Sequence, residues 1–278
     1  MKYKNQLCAL TTKHSKSKAI AEPFSIILGL QIIECNENTD QLGTFSGELE
    51  RTGTIFEVLR KKCELGMEAS GLTLGIASEG SFGPHPSLFF LPCDHEELIF
   101  IDKEKDFYLR ENVLSLETNY KFKDICYENE FLEFANAIKF PSHGIIIRPA
   151  DWVDKSIIFK GIQSVGEFKK AFHICKKASS NKMVRVESDM RAHMNPTRMA
   201  VIGQLAEKLA HRLSILCPKC KLPGWGLVRL LKGLECTECD FPTEKIKEEI
   251  FGCVKCDFEE SFRKALNTGP ENCPICNP

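Results

Sequence analysis

Residues 187–198 gather side chains that could do chemistry. Within twelve residues this stretch holds Glu187, Asp189, Arg191, His193 and Arg198. An apolar core does not tolerate such charges unless they are paired. Asn-Pro at 195–196 predicts a helix start, because asparagine caps helices and proline fits the first helical position. The stretch therefore lies between a predicted strand and a helix N-terminus, where α/β folds commonly place active sites. A buried ion-pair network that holds the helix on a sheet is the alternative interpretation.

A second group of polar residues follows the apolar run at 72–77, which predicts a strand covered on both faces. Glu79 comes directly after this run, between small residues that allow another group to approach the backbone. His85 lies between two prolines, which restrict its backbone. Glu79 and His85 are therefore predicted catalytic residues. The alternative for Glu79 is a carboxylate that accepts hydrogen bonds from the N–H groups of a turn.

The loop after the first predicted strand, at 6–10, is rich in hydroxyl and cationic side chains. It precedes a predicted helix at 19–28, a position where helix N-termini often bind phosphate. It is not a Walker loop, because the required glycines are missing. The residues expected to bind an anionic substrate there are Thr12, Lys13, His14 and Lys16. An ordinary solvated turn would have the same composition.

Polar side chains also flank a further apolar run at 144–149, which His143 precedes and Arg148 nearly ends. If these strands share one sheet, the polar loops could converge along one edge of it. The catalytic hypothesis depends on this convergence. It requires Glu79 and the 189–193 group to face one opening, and not to be sealed in mutual salt bridges.

Length and composition are those of an ordinary globular protein. The chain has 278 residues, of which 43% are hydrophobic and 27% charged, and its net charge of −1 gives no global attraction for nucleic acid or anionic membranes. No apolar run approaches the roughly 20 residues of a membrane-spanning helix. The apolar run near the N-terminus is too short for a signal peptide. We therefore expect a cytoplasmic protein without a membrane partner.

Predicted strands and helices alternate over residues 1–213, which indicates an α/β fold with a mixed sheet and flanking helices. One of these helices is expected to begin at Ser164, because Glu167 three residues later completes a capping box. Residues 214–278 contain few large apolar residues and many cysteines. They are expected to form a separate zinc-binding module that depends on metal for folding.

Fourteen cysteines divide into two groups. Six lie singly in apolar contexts, as small buried hydrophobes do. Eight form Cys-x-x-Cys pairs, which in a chain without an export signal indicate metal rather than disulfides. The pairs are Cys217/Cys220, Cys236/Cys239, Cys253/Cys256 and Cys273/Cys276. Four thiolates close the shell of a tetrahedral zinc ion, so two structural zinc ions are expected, with iron–sulfur or redox use as alternatives. Sequential pairing, which makes a double zinc ribbon, is the simplest arrangement, and a cross-braced arrangement is the alternative.

The charge of the cysteine-rich module bears on its partners. Residues 214–278 contain nine Lys/Arg and ten Asp/Glu, so a nucleic-acid partner is not favoured. The aromatic residues of this module could form a contact surface, although such residues more often fill small ribbon cores. A scaffold, docking or lid role is expected, with a possible protein partner.

These motifs resemble those of an uncharacterised bacterial family over nearly the full length. Its members have a similar Thr-Lys-His turn, a Ser-Glu-Gly-Ser-Phe-Gly-Pro-His-Pro stretch (here 78–86), an Asp-Met-Arg-Ala-His-x-Asn-Pro-Thr-Arg-Met stretch (here 189–199) and a cysteine-rich tail. The resemblance implies no activity.

Residues 10–80 are also distantly similar to the start of inosine-triphosphatase-like nucleotide pyrophosphatases. Those enzymes bind phosphate with a Thr-Asn-x-x-Lys turn, which Thr12 and Lys16 match, whereas Lys13 replaces the asparagine. A glycine-containing loop there leads into a basic helix, as 43–62 does here with Arg51. Glu79 matches an acidic residue that helps to hold magnesium. The resemblance implies a related sheet and a nucleotide substrate, but residues 187–198 and the cysteine-rich tail have no counterpart.

The favoured hypothesis is a metal-dependent hydrolase of a nucleotide or another phosphate-containing small molecule. Glu79, with Glu187 or Asp189, would bind Mg²⁺ or Mn²⁺. Arg191 and Arg198 would neutralise developing charge, and His85 or His193 would transfer protons. Asp189 and Arg191 count among the predicted catalytic residues. The predicted substrate-binding residues are Thr12, Lys13, His14, Lys16, Arg51, Arg148 and Arg198.

Two other functions use the same residues. One is a non-enzymatic zinc-ribbon adaptor whose α/β part senses a small anion, and it predicts binding without product. The other is a nucleotidyl transferase, which would need an acceptor substrate.

Overall fold

The computed structural model describes residues 3–37 and 53–278. Its α-helices over these ranges are α1 (Ser17–Leu28), α2 (Ile55–Ser70), α3 (Phe131–Ala137), α4 (Val165–Ala178) and α5 (Pro196–Ser214). Its strands are β1 (Leu7–Thr11), β2 (Gln31–Cys35), β3 (Leu74–Pro84), β4 (Pro92–Asp102), β5 (Phe107–Ser115), β6 (Phe122–Ile125), β7 (Ile145–Pro149), β8 (Phe159–Ile162), β9 (Val184–Ser188), β10 (Gly226–Lys232), β11 (Ile246–Gly252) and β12 (Glu259–Arg263). The mixed α/β character expected for residues 1–213 is therefore confirmed.

The first sheet is mixed, with strand order β2-β1-β3-β4-β5. β1 pairs in parallel with β2 and β3, whereas β3, β4 and β5 form an antiparallel meander. Side chains alternate across this sheet. Ile76 and Leu98 pack against α1 and α5, and Ala77 packs with Leu59 of α2 on the opposite face. The sheet is therefore covered by helices on both faces.

The second sheet is antiparallel and has the order β6-β9-β7-β8. Helices α3 and α4 cover one face of it, and the core between them contains a stacked pair of rings, Phe131 and Phe168, whose centroids lie 3.8 Å apart. The expected helix start at Ser164 is present, and its hydroxyl accepts a hydrogen bond from the N–H of Glu167. The sequence predicted one mixed sheet, but the strands of residues 1–213 form two sheets, because β6–β9 build a hydrophobic core of their own.

Residues after α5 form a small three-stranded sheet, β10-β11-β12. This module is attached to the first sheet by polar contacts. Arg212 of α5 donates to the carbonyl oxygen of Gly224 (3.2 Å) and to Glu111 of β5 (2.5 Å), and Lys255 donates to Asp106 (2.6 Å). Across the part of the chain that the structure describes, no helix has the length and apolar character needed to cross a bilayer.

The contact between β3 and α2 leaves room only for glycine at position 75. A Cβ there would lie 2.5 Å from Sδ of Met67 and 2.6 Å from Sγ of Cys63. We expect Gly75→Ala to lower the free energy of unfolding by about 1–3 kcal/mol, the usual range for overpacking a core. Urea denaturation would measure this change.

Gly166 in the first turn of α4 provides the control, because a Cβ there would meet no described atom within 4 Å. Gly166→Ala should leave the stability unchanged or raise it by up to about 1 kcal/mol through helix propensity. Equal stability of the Gly75→Ala variant and the wild-type protein would contradict the described packing of α2.

Candidate functional site

Lys16 stands at the start of α1, where the chain leaves the end of β1. Its side chain is buried, with the residue only 7% exposed, and Nζ donates a hydrogen bond to Oγ of Ser78 on β3 at 2.8 Å. Burial and the nearby Arg198, opposed by Glu96, lower the pKa of Lys16 to about 8. Its hydrogen-bond acceptor is thus a neutral hydroxyl, while carboxylates act on it from farther away.

Arg198 in the first turn of α5 reaches the neighbouring strand, β4. It is 2% exposed, and its Nε donates to Oε1 of Glu96 on β4 at 2.6 Å. Its Nη1 donates to the carbonyl oxygen of Met190 at 2.5 Å. Gly80 of β3 permits this approach, because a Cβ there would lie 2.3 Å from Nη2 of Arg198 and from Oε1 of Glu96. The close ion pair therefore requires glycine at position 80.

The first turns of α1 and α5 meet at the end of the sheet where β1 stops. Their N-terminal halves also line a groove of about 570 Å³, which His193 borders. Unpaired N–H groups at a helix N-terminus favour anions. The N–H groups of Lys18 and Ala19 in α1, and of Thr197 and Arg198 in α5, already have acceptors within the protein. What the two helix starts bring to the segment 78–80 of β3 is therefore one buried cation each, Lys16 and Arg198.

His14 and His193 stack near these helix starts, with ring centroids 5.0 Å apart. Burial, together with the neighbouring His193, Lys16, Arg191 and Arg198, lowers the pKa of His14 to about 4. Burial and Arg191 also lower the pKa of His193, against the effect of Asp189. Both rings are therefore neutral at pH 7, and His14 lies in a strongly positive potential.

Glu79 lies on the opposite face of β3 from Ser78 and Gly80, toward α2. Its carboxylate forms an ion pair with Nζ of Lys62. Glu97 is its cross-strand partner on β4 and binds Arg110 at 2.7 Å. The structure therefore brings Glu79 to the same end of the sheet as Lys16, and its charge raises the pKa of that lysine.

Asp189 is completely buried and already fully engaged. Its Oδ2 accepts from Nη2 of Arg191 at 2.6 Å and from the N–H of Gly161 at 3.0 Å, and its Oδ1 accepts from Nε of Arg191 at 3.0 Å. The pair thus ties the 189–191 chain to β8. This geometry favours the ion-pair network for Asp189 and Arg191, which the sequence left as an alternative to catalysis.

Glu187 and Arg148 belong to the second sheet, where Nε of Arg148 donates to Glu187 at 2.7 Å. The guanidinium of Arg148 also covers the ring of Trp152, 4.4 Å from its centroid. These two residues are therefore paired with each other on a different sheet from Glu79. The structure does not bring Glu187 and Glu79 together as ligands of one metal ion.

His85 lies at the tip of the β3–β4 hairpin. Its Nδ1 accepts hydrogen bonds from the N–H groups of Ser87 (3.1 Å) and Leu88 (3.0 Å). Six residues of extended strand, about 20 Å, separate it from Glu79. His85 therefore caps a turn and does not join the other predicted site residues.

The remaining predicted substrate-binding residues lie around the loop before α1 or outside the described residues. Thr12 is 5% exposed, and its hydroxyl accepts a hydrogen bond from the N–H of His14 at 3.3 Å. Lys13 is half-buried. Arg51 is not among the described residues. The loop before α1 thus contributes Lys16 to the cationic region, with the neutral ring of His14 beside it.

The sequence interpretation missed Asp94 and Glu96 of β4, which are both completely buried. A signal was present in the spacing. Each of these residues is an even number of positions from Leu98 and Phe100, so all of these side chains leave the same face of the strand. Both oxygens of Asp94, and Oε2 of Glu96, accept no hydrogen bond from the described residues. Burial raises the pKa of Asp94 to about 8, and Glu96 raises it further.

The eight paired cysteines form two groups of four: Cys217, Cys220, Cys253 and Cys256, and Cys236, Cys239, Cys273 and Cys276. The sequential pairing favoured from the sequence is therefore wrong, and the cross-braced alternative is confirmed. The antiparallel pairing of β10 with β11 explains it, since Gly226 opposite Gly252 brings the pair before β10 to the pair after β11. The second group forms at the other end of these strands, where the pair that follows β10 meets the pair that follows β12.

The sulfur geometry fits zinc. Facing Sγ atoms lie 3.7 and 3.6 Å apart in the first group and 3.9 and 3.6 Å apart in the second. A tetrahedral ion with Zn–S bonds near 2.3 Å separates its ligands by about 3.8 Å. Both groups could therefore hold structural zinc ions in closed shells.

The cross-braced pairing makes a sharp prediction for the zinc content of double variants. Cys220→Ser/Cys253→Ser removes two ligands from one group, so we expect a zinc content of one ion per chain instead of two, by elemental analysis. Cys220→Ser/Cys236→Ser removes one ligand from each group and should weaken both ions. Loss of both ions from the first variant, with one retained in the second, would support sequential pairing instead.

Comparison with known proteins assigns the chain to a family without assigning it an activity. Residues 62–278 match a family described as a domain of unknown function, DUF6671. No curated protein and no solved structure matches the chain. The matched range runs from α2 through both cysteine groups and includes β3, β4 and α5. Because the match covers well over half of its length, this chain belongs to the DUF6671 family.

Proposed function

We propose that this protein binds a phosphate-containing small molecule where α1 and α5 begin, and hydrolyses it with the help of a divalent cation. The observation that carries the proposal is the state of Lys16. Three cations of this region have carboxylate partners, in the pairs Arg198–Glu96, Arg191–Asp189 and Lys62–Glu79, whereas among the described residues Lys16 donates to the neutral hydroxyl of Ser78.

A buried ammonium group without a directly bonded carboxylate is energetically costly. Ser78 uses one of the three N–H donors of Lys16, so the other two can meet the oxygen atoms of an anion. Lys16, Arg191 and Arg198 add to the effect of burial in lowering the pKa of His14, so cations lie near the same location. A phosphate there would also lie at the start of α1, where the helix dipole favours an anion.

The metal requirement rests on Glu79. Mg²⁺ and Mn²⁺ prefer oxygen ligands and often use one or two protein carboxylates together with substrate phosphates. Glu79 is a carboxylate at this end of the sheet, on the face toward α2, and its ion pair with Lys62 is partly exposed, so Lys62 would have to release it for a metal ion to bind. When bound, such an ion would polarise a phosphoryl oxygen and lower the pKa of a bound water. Glu187 and Asp189 are not supported as ligands, because both are engaged elsewhere.

In this proposal His193 transfers the proton. Its pKa is lowered by burial and Arg191, so its ring is neutral and can accept a proton at pH 7. It borders the groove between α1 and α5, which offers space for the part of the substrate beyond the phosphate. His85, at the hairpin tip, has no place in this scheme.

The anion site can be tested without knowledge of the substrate. Sulfate, which resembles phosphate, should raise the pKa of His14 above about 4, because a nearby negative charge stabilises the imidazolium ion. Lys16→Met should weaken sulfate binding by about tenfold to hundredfold, the usual value of a hydrogen bond to a charged group. NMR titration of the histidine rings measures both. Lys170→Met, on the exposed side of α4, is the control and should bind sulfate like the wild type. Unaltered binding by Lys16→Met would refute the site.

Catalysis requires a second test with two carboxylate variants. With nucleotides and other phosphate esters in Mg²⁺ or Mn²⁺, Glu79→Gln should lower phosphate or pyrophosphate release by at least about 100-fold. Its melting temperature should stay within a few degrees, because glutamine can still accept the hydrogen bond of Lys62. Asp189→Asn should instead lower the stability by about 3 kcal/mol, since it leaves Arg191 without its buried partner.

The binding and product-release assays also separate the alternative functions. Saturable binding with no product indicates an anion-sensing adaptor. Product that forms only when an acceptor is added indicates a nucleotidyl transferase. Full activity of Glu79→Gln would remove Glu79 from the proposed metal site.

A further inference from the structure

Asp94 and Glu96 present an unusual arrangement in the interior of the protein. They are two residues apart on β4, so their side chains leave the same face of the sheet. Neither side chain reaches solvent. Within residues 3–37 and 53–278, three of their four carboxyl oxygens accept no hydrogen bond. The fourth, Oε1 of Glu96, accepts from Nε of Arg198 at 2.6 Å.

Two ionised carboxylates cannot stay side by side in a buried place, because desolvation and mutual repulsion both oppose their charges. A proton on Asp94 removes the conflict. The protonated carboxyl of Asp94 then donates to Oε2 of Glu96, the oxygen that Arg198 leaves unused. One proton thus supplies a partner to an unpaired oxygen of each residue.

We propose that Asp94 and Glu96 share this one proton, and that the proton keeps the buried cluster with Lys16 and Arg198 positive enough to bind an anion. The charges of Lys16, Arg198 and Glu96 then sum to +1, which an anionic ligand can balance. Loss of the proton brings the sum to zero. Asp94 and Glu96 are positioning residues in this scheme, and the second half of the proposal rests on the anion site proposed above.

The groups that face Asp94 come from three elements. They are Glu96 from β4, Arg198 from α5 and Lys16 from the start of α1. Glu79 and Lys62 form their ion pair on the opposite face of the sheet. Arg198 and Lys16 lower the pKa of Asp94, but burial and Glu96 outweigh them and raise it to about 8.

The protonation of Asp94 makes the stability of the fold depend on pH. Asp94 binds its proton more tightly in the folded state (pKa about 8) than in the unfolded state (model value 3.8). Stability from this group is therefore complete below pH 4, falls as the pH rises toward 8 and levels off above that. Asp94→Asn cannot titrate, yet its amide can donate to Oε2 of Glu96. The difference in unfolding free energy between this variant and the wild type should shift in favour of the variant from pH 5 to pH 8.

The experiment measures urea denaturation from pH 5 to pH 9 and sulfate binding from pH 7 to pH 9 for the wild type, Asp94→Asn and Asp94→Leu. Sulfate keeps its charge over this range. Lys16 and Asp94 both have a pKa of about 8, so the affinity of the wild type should fall by up to about a hundredfold per pH unit above pH 8, the limit for two linked protons. Asp94→Asn keeps only the titration of Lys16, so its affinity should fall by at most about tenfold per pH unit. Asp94→Leu, which has no donor for Glu96, should be less stable than Asp94→Asn at every pH.

Infrared spectroscopy detects the protonated carboxyl group itself, which a measurement of stability does not. At pH 6 the wild type should show the carbonyl stretch of a buried protonated carboxylic acid, which Asp94→Asn lacks. A stability difference that is constant from pH 5 to pH 8 would overturn the shared proton. Sulfate binding with the same pH dependence in both proteins would overturn its role at the anion site. Absence of sulfate binding in all proteins would overturn the proposed function as well.

Discussion

The ion pair between Arg198 and Glu96 is the interaction on which the rest of the site depends. Both side chains are buried, so loss of either partner would leave an unpaired charge in the interior at a cost of about 3–5 kcal/mol. The pair sets the start of α5 against the middle of the β3–β4 hairpin and explains the glycine at position 80. Because the same guanidinium binds the carbonyl oxygen of Met190, it also fixes the chain that arrives from the second sheet.

The composition of residues 187–198 follows from that position between the two sheets. Asn195 donates to Asn119 at 2.7 Å, and His143 lies 2.9 Å from the hydroxyl of Thr197. These contacts join the start of α5 to the loops of the second sheet. Charged residues in such a connection must be paired where they are buried, as Asp189 and Arg191 are. Much of the polarity that suggested catalysis therefore serves to connect two cores, while Arg198 and His193 remain near the proposed anion site.

Local patterns in the sequence predicted elements such as β1 and β7, the helix starts at Ser164 and Asn195, and the eight cysteines of the two groups, because these depend on neighbouring residues. Sheet membership could not be predicted, since alternation fixes the face of a strand but not its partner. For the same reason the sequence left the cysteine pairing open until the β10–β11 register was known. The predicted convergence holds only in part, because Lys16 and Arg198 meet on one face of β3, whereas Glu79 leaves the opposite face toward α2. Asp94 and Glu96 were missed because their burial depends on α5, about 100 residues later in the chain.

The charges at the proposed anion site differ from those of a network that only holds the fold together. In a purely structural network each buried cation would have a carboxylate within hydrogen-bond distance, as Arg191 and Arg198 do. Lys16 donates its hydrogen bond to a hydroxyl instead, and burial, together with nearby cations, keeps His14 neutral. A carboxylate that could complete the network is present in Asp94, but burial beside Glu96 keeps it protonated at neutral pH. The fold therefore holds positive charge that its own side chains could cancel and do not, and an anion bound to Lys16 is the simplest physical reason for that arrangement.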